Sequence, residues 1–173
     1  MATKKSVWVL FGIVVISAWI LGSVIQAGAE TMKCRTASTA TKDERIAVSD
    51  EEGHILELQI LQGLAFFENG EIAKYRSHAI SDGTPGKRGQ AITYQIYTFE
   101  DGSTIVNRTQ RLLVPDQSGN YSAEATGEII KGTGRFEGIK GTASATGKNF
   151  QPGKGEATRA TNEITFTYTL PAK

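Results

Sequence analysis

Two side chains in this sequence have both the chemistry and the setting to act on a bound molecule. Glu57 lies between Leu56 and Leu58 in the apolar run from Ile55 to Phe67. Enclosed there, a carboxyl would keep its proton to a higher pH than usual, which suits a general acid or base. On the outer pleat of the same strand it would only face solvent. Tyr121 opens an alternating stretch and would carry its phenol at the end of a strand. A second set reads as ligand contacts. Arg108 and Gln110 alternate with Val106 and Leu112, so together they form either an exposed stripe or an inner face able to orient an anion. Tyr75 and Tyr94 combine an apolar ring with a polar tip, and Phe136 is the one aromatic in a glycine-rich run.

Other chemistries have no support. His54 and His78 stand at a turn and on a charged strand face, without ligand spacing to each other, and no metal motif is present. The pair Gly132-x-Gly134 precedes a strand pattern rather than a helix, so it is no phosphate or dinucleotide loop. No nucleophile elbow is found, and no cofactor is expected. The formal net charge of +1 shows no pull toward nucleic acid. The lone Cys34 cannot form an intramolecular disulfide.

The elements that must position these residues are strands. Leu56, Leu58, Ile60, Leu64 and Phe66 share one face at period two. Asn69-Gly70 and Asp101-Gly102 carry tight-hairpin signals. Ile72–Ile80 follows the first turn, with Ala73, Tyr75, Ser77 and Ala79 on one face. Gln90–Phe99 places Ile92, Tyr94 and Ile96 together, Thr104–Val114 is its partner, and Tyr121–Ile130 alternates again. Beyond the glycine turn at residues 132–141, Ile139, Gly141, Ala143, Ala145 and Gly147 share a face. Ile164, Phe166, Tyr168 and Leu170 do so in the last strand region.

No stretch after residue 30 has a helical period. The sequence predicts an all-β domain in which about eight strands run as an antiparallel meander and close into a barrel, so that no edge is left exposed. An interior of that size is either filled by side chains or holds one small ligand. Small residues at Ala73, Ser77, Ala123, Ala125, Gly127, Ala143 and Ala145 would leave volume inside.

Ahead of this domain, Lys4 and Lys5, the apolar stretch from Val7 to Ile25 and Ala27-Gly28-Ala29 follow the order of a secretory signal. Residues 1–29 are therefore expected to be cleaved after Ala29, or to remain as an anchor through residues 7–25. Either outcome places the rest outside the cytoplasm, secreted or periplasmic. Residues 30–44, polar and without period, are expected to be a flexible tether, and residues 45–173 the barrel. The first strand is expected at Arg45–Ser49.

The run Gly132-Thr133-Gly134-Arg135-Phe136-Glu137-Gly138-Ile139-Lys140-Gly141, with the small alternating strand to Gly147, resembles the allene oxide cyclase barrel superfamily, which includes the dirigent proteins and many secreted bacterial proteins. Leu64–Gly70 and Tyr97–Ser103 are similar to hairpins of the bacterial members. The likeness spans roughly residues 45 to 170. It implies an eight-stranded antiparallel barrel, often dimeric or trimeric. The plant members hold a reactive hydrophobic intermediate in the barrel and steer its ring closure or coupling. Cys34 lies ahead of the expected barrel, so it offers no counterpart to the cyclase's cavity cysteine.

Three functions are compatible with this reading. The first is an exported barrel that binds a small hydrophobic or amphipathic molecule in or at its mouth. The second is an isomerase, cyclase or dirigent-type protein acting by confinement, which needs an inward acid or base such as Glu57. The third is a filled barrel serving as a structural or interaction module. The orientation of Glu57, Arg108 and Tyr121 and the volume of the lumen distinguish them.

Overall fold

The computed structural model describes residues 28–172. The expected signal or anchor lies outside these residues, except that the predicted cleavage point after Ala29 falls directly before the first strand. Eight strands follow in chain order: β1 Glu30–Ala47, β2 Ile55–Phe67, β3 Ile72–Gly83, β4 Gly89–Thr98, β5 Thr104–Pro115, β6 Tyr121–Thr133, β7 Lys140–Phe150 and β8 Arg159–Thr169. Each pairs antiparallel with the next, and β1 pairs with β8, so the meander closes into a barrel.

Residues 30–44 are not a tether. They make up most of β1, which pairs with β2 from Cys34 to Ala47 and with β8 from Glu30 to Thr39. Its inward residues Cys34, Thr36 and Ser38 are small or polar, as are its outward ones, so there is no hydrophobic contrast to betray the strand. Its threonines nonetheless suit a pleated backbone. Cys34 is therefore inside the barrel wall, 2% exposed, rather than ahead of the domain. A register shift between Ala40 and Lys42 then brings Asp43 and Arg45 opposite Gln59 and Glu57.

The alternation was legible, but in β2 and β4 the inward face is the opposite of the expected one, and in β5, whose face was left open, it is the face without Arg108 and Gln110. On β2 the buried residues are Gln59, Leu61, Ala65 and Phe67, while Leu64 and Phe66 are exposed. On β4 they are Ala91, Thr93, Gln95 and Tyr97, and on β5 Ile105, Asn107, Thr109 and Arg111. The inward faces of β3, β6, β7 and β8 are as expected. The physical reason is volume. An eight-stranded barrel has little interior space, and rings from Phe67, Tyr75, Tyr97 and Phe166 already crowd it. Leu64 of β2 and Ile92 of β4 are left on the outer wall.

One end of the barrel is sealed. Phe67, Phe99 and Phe136 stack with ring centroids 5.0 Å apart along the series, and Tyr97 meets Phe166 edge-on at 5.2 Å. Phe136 enters from a short 3-10 turn, Gly134–Phe136, between β6 and β7. Gly134 at φ +61° and Gly138 at φ +75° hold that turn in the left-handed region, where a side chain is strained. Arg135 covers the stack, its guanidinium carbon 4.6 Å from the Phe99 ring and 4.8 Å from Phe136. Glu71 pairs with it at 2.6 Å and Asp101 lies at 3.7 Å.

Candidate ligand-binding site

From the aromatic seal upward, β4 and β5 contribute opposed inward pairs: Tyr97 with Ile105, Gln95 with Asn107, Thr93 with Thr109, and Ala91 with Arg111. The interior thus turns from apolar to polar along its axis. In the polar layers Gln95 Nε2 donates to the Tyr75 hydroxyl at 3.0 Å, and Asn107 Nδ2 donates to Gln95 Oε1 at 2.9 Å. The hydroxyls of Thr93, Thr109 and Tyr97 and the Asn107 carbonyl oxygen have no partner among the described residues, although each is buried. Buried polar atoms are normally satisfied, so such a cluster marks a place where further hydrogen bonds can be made. Burial raises the phenol pKa of Tyr75 and, further, of Tyr97, so both stay neutral donors.

Above these layers the barrel opens into a cavity of about 270 Å³. Leu61, Ala79, Ala91 and Leu113 form apolar wall, while Glu57, Gln59, Arg111 and Tyr121 supply polar atoms. Residues 84–87 of the β3–β4 loop border the opening. That loop is clasped from two sides. The Gly86 N–H donates to the Tyr121 hydroxyl at 2.7 Å. From the β1–β2 turn, Glu51 accepts from Thr84 Oγ1 at 2.5 Å and pairs with Lys87 at 3.3 Å. His54 bridges the same turn to the end of β3, with Nδ1 2.5 Å from Asp50 and Nε2 2.7 Å from Asp82. Hydrogen bonds to Asp82 and then Asp50 raise the His54 pKa.

Glu57 borders the cavity from β2, directly opposite Arg45. Arg45 Nε donates to Glu57 Oε1 at 2.8 Å, and the same guanidinium reaches Asp43 at 3.2 Å. Burial, followed by the Asp43 charge, raises the Glu57 carboxyl, and Arg45 opposes both. Glu57 is therefore an inward carboxyl held in an ion pair.

Arg111 is the group that the sequence reading did not single out. It is 8% exposed and is the deepest β5 residue on the cavity wall. Ala91 and Ala125 flank it across the strand pairs, leaving room for its side chain to cross the lumen. There an Nη atom donates to Asn162 Oδ1 on β8 at 3.1 Å, and Asn162 Nδ2 donates to Thr36 Oγ1 at 3.1 Å. No carboxylate among the described residues pairs with it. Burial lowers its pKa from the ordinary value, against the opposing influence of Tyr75 and Tyr97, but an arginine stays protonated. The only signal that could have found it was the choice of face on β5: Arg108 and Arg111 are an odd number of residues apart and cannot both point inward.

The other expected contacts divide accordingly. Arg108 and Gln110 are on the outer wall, and Tyr94, opposite Arg108, is 39% exposed outside. Tyr75 is inside but deep, under the cavity rather than at its mouth. Phe136 closes the far end and does not line the cavity. Tyr121 does line it. Of the two Asn-x-Ser/Thr sequons, Asn107 is fully buried in the lumen, and only Asn120 is near solvent. Among the described residues no set of three or more His, Cys, Asp or Glu side chains is placed to hold a metal ion.

A broader depression crosses the outer wall from β5 to β8 and on to β1 and β2, lined by Gln110, Thr126, Ser144, Thr146 and Thr165 among others. Although larger, at about 1070 Å³, it is open and has none of the unpartnered buried polar atoms of the interior.

Compared with known proteins, the barrel is similar to two solved dirigent proteins. The structure of the pterocarpan synthase dirigent protein PsPTS1 aligns over 84% of this chain and 97% of its own, with 13% identity and a TM-score of 0.48. For the pterocarpan synthase dirigent protein GePTS1 the coverage is 83% and 90%, the identity 12% and the TM-score 0.42. The likeness is one of fold alone. No protein-family model matches the chain, and no curated protein matches its sequence.

Proposed function

We propose that this protein is an exported β-barrel that binds a small amphipathic molecule in its mouth. The observation that carries this reading is the unfilled cavity of about 270 Å³ above a lumen whose other end is tightly packed. A barrel serving only as scaffold would fill both ends, since protein interiors are close-packed. Small-ligand pockets run from roughly 300 Å³ upward, so the bound molecule is small. Apolar wall beside a few polar groups suits an amphipathic one.

Export rests on the charged start, the apolar residues 7–25 and Ala27-Gly28-Ala29. N-terminal sequencing of the exported form should begin at Glu30, and a retained Lys5 would convert the segment to an anchor. Binding is tested by native mass spectrometry of protein purified from several hosts. A recurring small adduct is expected, and an empty protein from every host would refute the reading.

Glu57 favours a second reading, acid–base chemistry on the bound molecule, because it is an inward carboxyl whose pKa is raised. Its test is turnover of a captured ligand, abolished in Glu57→Gln. Self-association is also part of the proposal. Ile80 is paired with Ile92, and Phe66 with Ile72, and all are exposed on the outer wall. Sedimentation analysis should give more than one copy, and a monomer at high concentration would exclude it.

A further inference from the structure

The cavity carries a charge that the described residues do not balance. Arg111 is nearly buried, and Asn162 is its one hydrogen-bond acceptor among the described residues. A guanidinium has five N–H donors in a planar fork, so most of its capacity is free. An unpaired buried charge is strongly unfavourable unless something pairs with it. The two acidic side chains that also line the cavity are already engaged, Glu57 by Arg45 at 2.7 Å and Asp82 by His54 at 2.7 Å. Arg111 is thus a buried charged side chain on the cavity wall, with the unpartnered Thr109 hydroxyl two residues before it on the same face of β5.

Resting on the reading of the mouth as a binding site, we propose that the ligand is a small organic acid, with its carboxylate on Arg111 and its apolar body against Leu61, Ala79, Ala91 and Leu113. A carboxylate matches the guanidinium fork with two parallel hydrogen bonds. A single negative charge fits, because Arg45 and Lys87 of the lining are already paired with Glu57 and Glu51, which leaves Arg111, and the Glu57 carboxyl borders the same space. A phosphate would bring a second charge toward that carboxyl. Apolar walls favour an organic body over an inorganic ion.

The test uses the full chain and two matched probe series: benzoate, hexanoate and octanoate against benzamide, hexanamide and octanamide. Calorimetry and ligand-dependent melting temperature give the readout. At least one acid is expected to bind 10-fold or more tighter than its amide. Arg111→Met should lose at least that factor for the acid while leaving amide binding within about 3-fold. Arg111→Met should also melt at or above the wild-type temperature without ligand, because it removes an unpaired buried charge. That distinguishes a ligand-binding arginine from a structural one, whose loss would lower the melting temperature. If acids and amides bind equally, or Arg111→Met keeps the acid, the anion proposal falls while the cavity reading stands. If no probe binds and no adduct is carried through purification, both fall.

Discussion

Replacing Phe136 with Ala isolates the role of the sealed end. The ring is 5% exposed, packs on Phe99 at 5.0 Å and lies beneath the Arg135 guanidinium. Truncating a buried Phe to Ala costs about 3–5 kcal/mol from lost transfer energy and the cavity left behind. Of that, about 0.5–1.5 kcal/mol belongs to the aromatic pair itself. Arg135 keeps its second ring, Phe99, and its pairing with Glu71, so its own contribution changes little. For a chain of this size each kcal/mol moves the melting temperature by roughly 2–4 °C, so a fall of roughly 6–20 °C is expected. Urea unfolding should show a lower midpoint with an unchanged slope. Because Phe136 does not line the mouth cavity, ligand capture by the folded variant should match wild type. A stability loss under about 1 kcal/mol would refute the seal, given the usual cost of a buried aromatic. A loss of binding in a stably folded variant would refute the separation of sealed end from site.

Three further outcomes follow from the titrating groups. His54 has a raised pKa, so its contribution to stability is complete below its ordinary value of 6.5 and fades as pH rises through the raised folded-state value. The gap in urea midpoint between wild type and His54→Gln should be widest at mildly acid pH and narrow toward alkaline pH; a gap that does not change with pH would contradict the bridge. Burial pushes the Cys34 thiol up to about 12, so the native protein should resist iodoacetamide at neutral pH and react once unfolded. Rapid labelling of the folded chain would exclude the buried placement. Arg45→Met removes the one cation paired with Glu57 among the described residues, and the Glu57 carboxyl should then titrate at a higher pH than in wild type. Carbon-detected NMR would show it, and an unmoved titration would mean that the pair is not formed in solution.

Turns and periodicity made most of the fold legible in the sequence. Asn69-Gly70 and Asp101-Gly102 mark hairpins that the structure contains, and glycines at 134 and 138 mark the turn that delivers Phe136. These signals are local, because a left-handed backbone position is decided by the residue that occupies it. β1 escaped notice because both of its faces are small or polar. It is a strand because β2 and β8 supply hydrogen-bond partners on both sides, and that information lies far away in the chain.

The site was legible only in part. Glu57 and Tyr121 line the cavity, although the face of Glu57 was open in the sequence; Tyr75 is inside but deeper than expected, Tyr94 is on the outer wall, and of the two alternatives for Arg108 and Gln110 the structure has the exposed stripe. The sequence alone pointed to a closed barrel of about eight alternating strands and, for β2 to β8, determined which residues share a face, since a period of two follows from backbone geometry. It could not determine which face points in. The barrel interior is one shared volume, and once Phe67, Tyr97 and Phe166 occupy it, the bulky side chains on the opposite faces of β2 and β4, such as Phe66 and Tyr94, are left on the outer wall. Only that tertiary competition for space turned Arg111, rather than Arg108, toward the lumen.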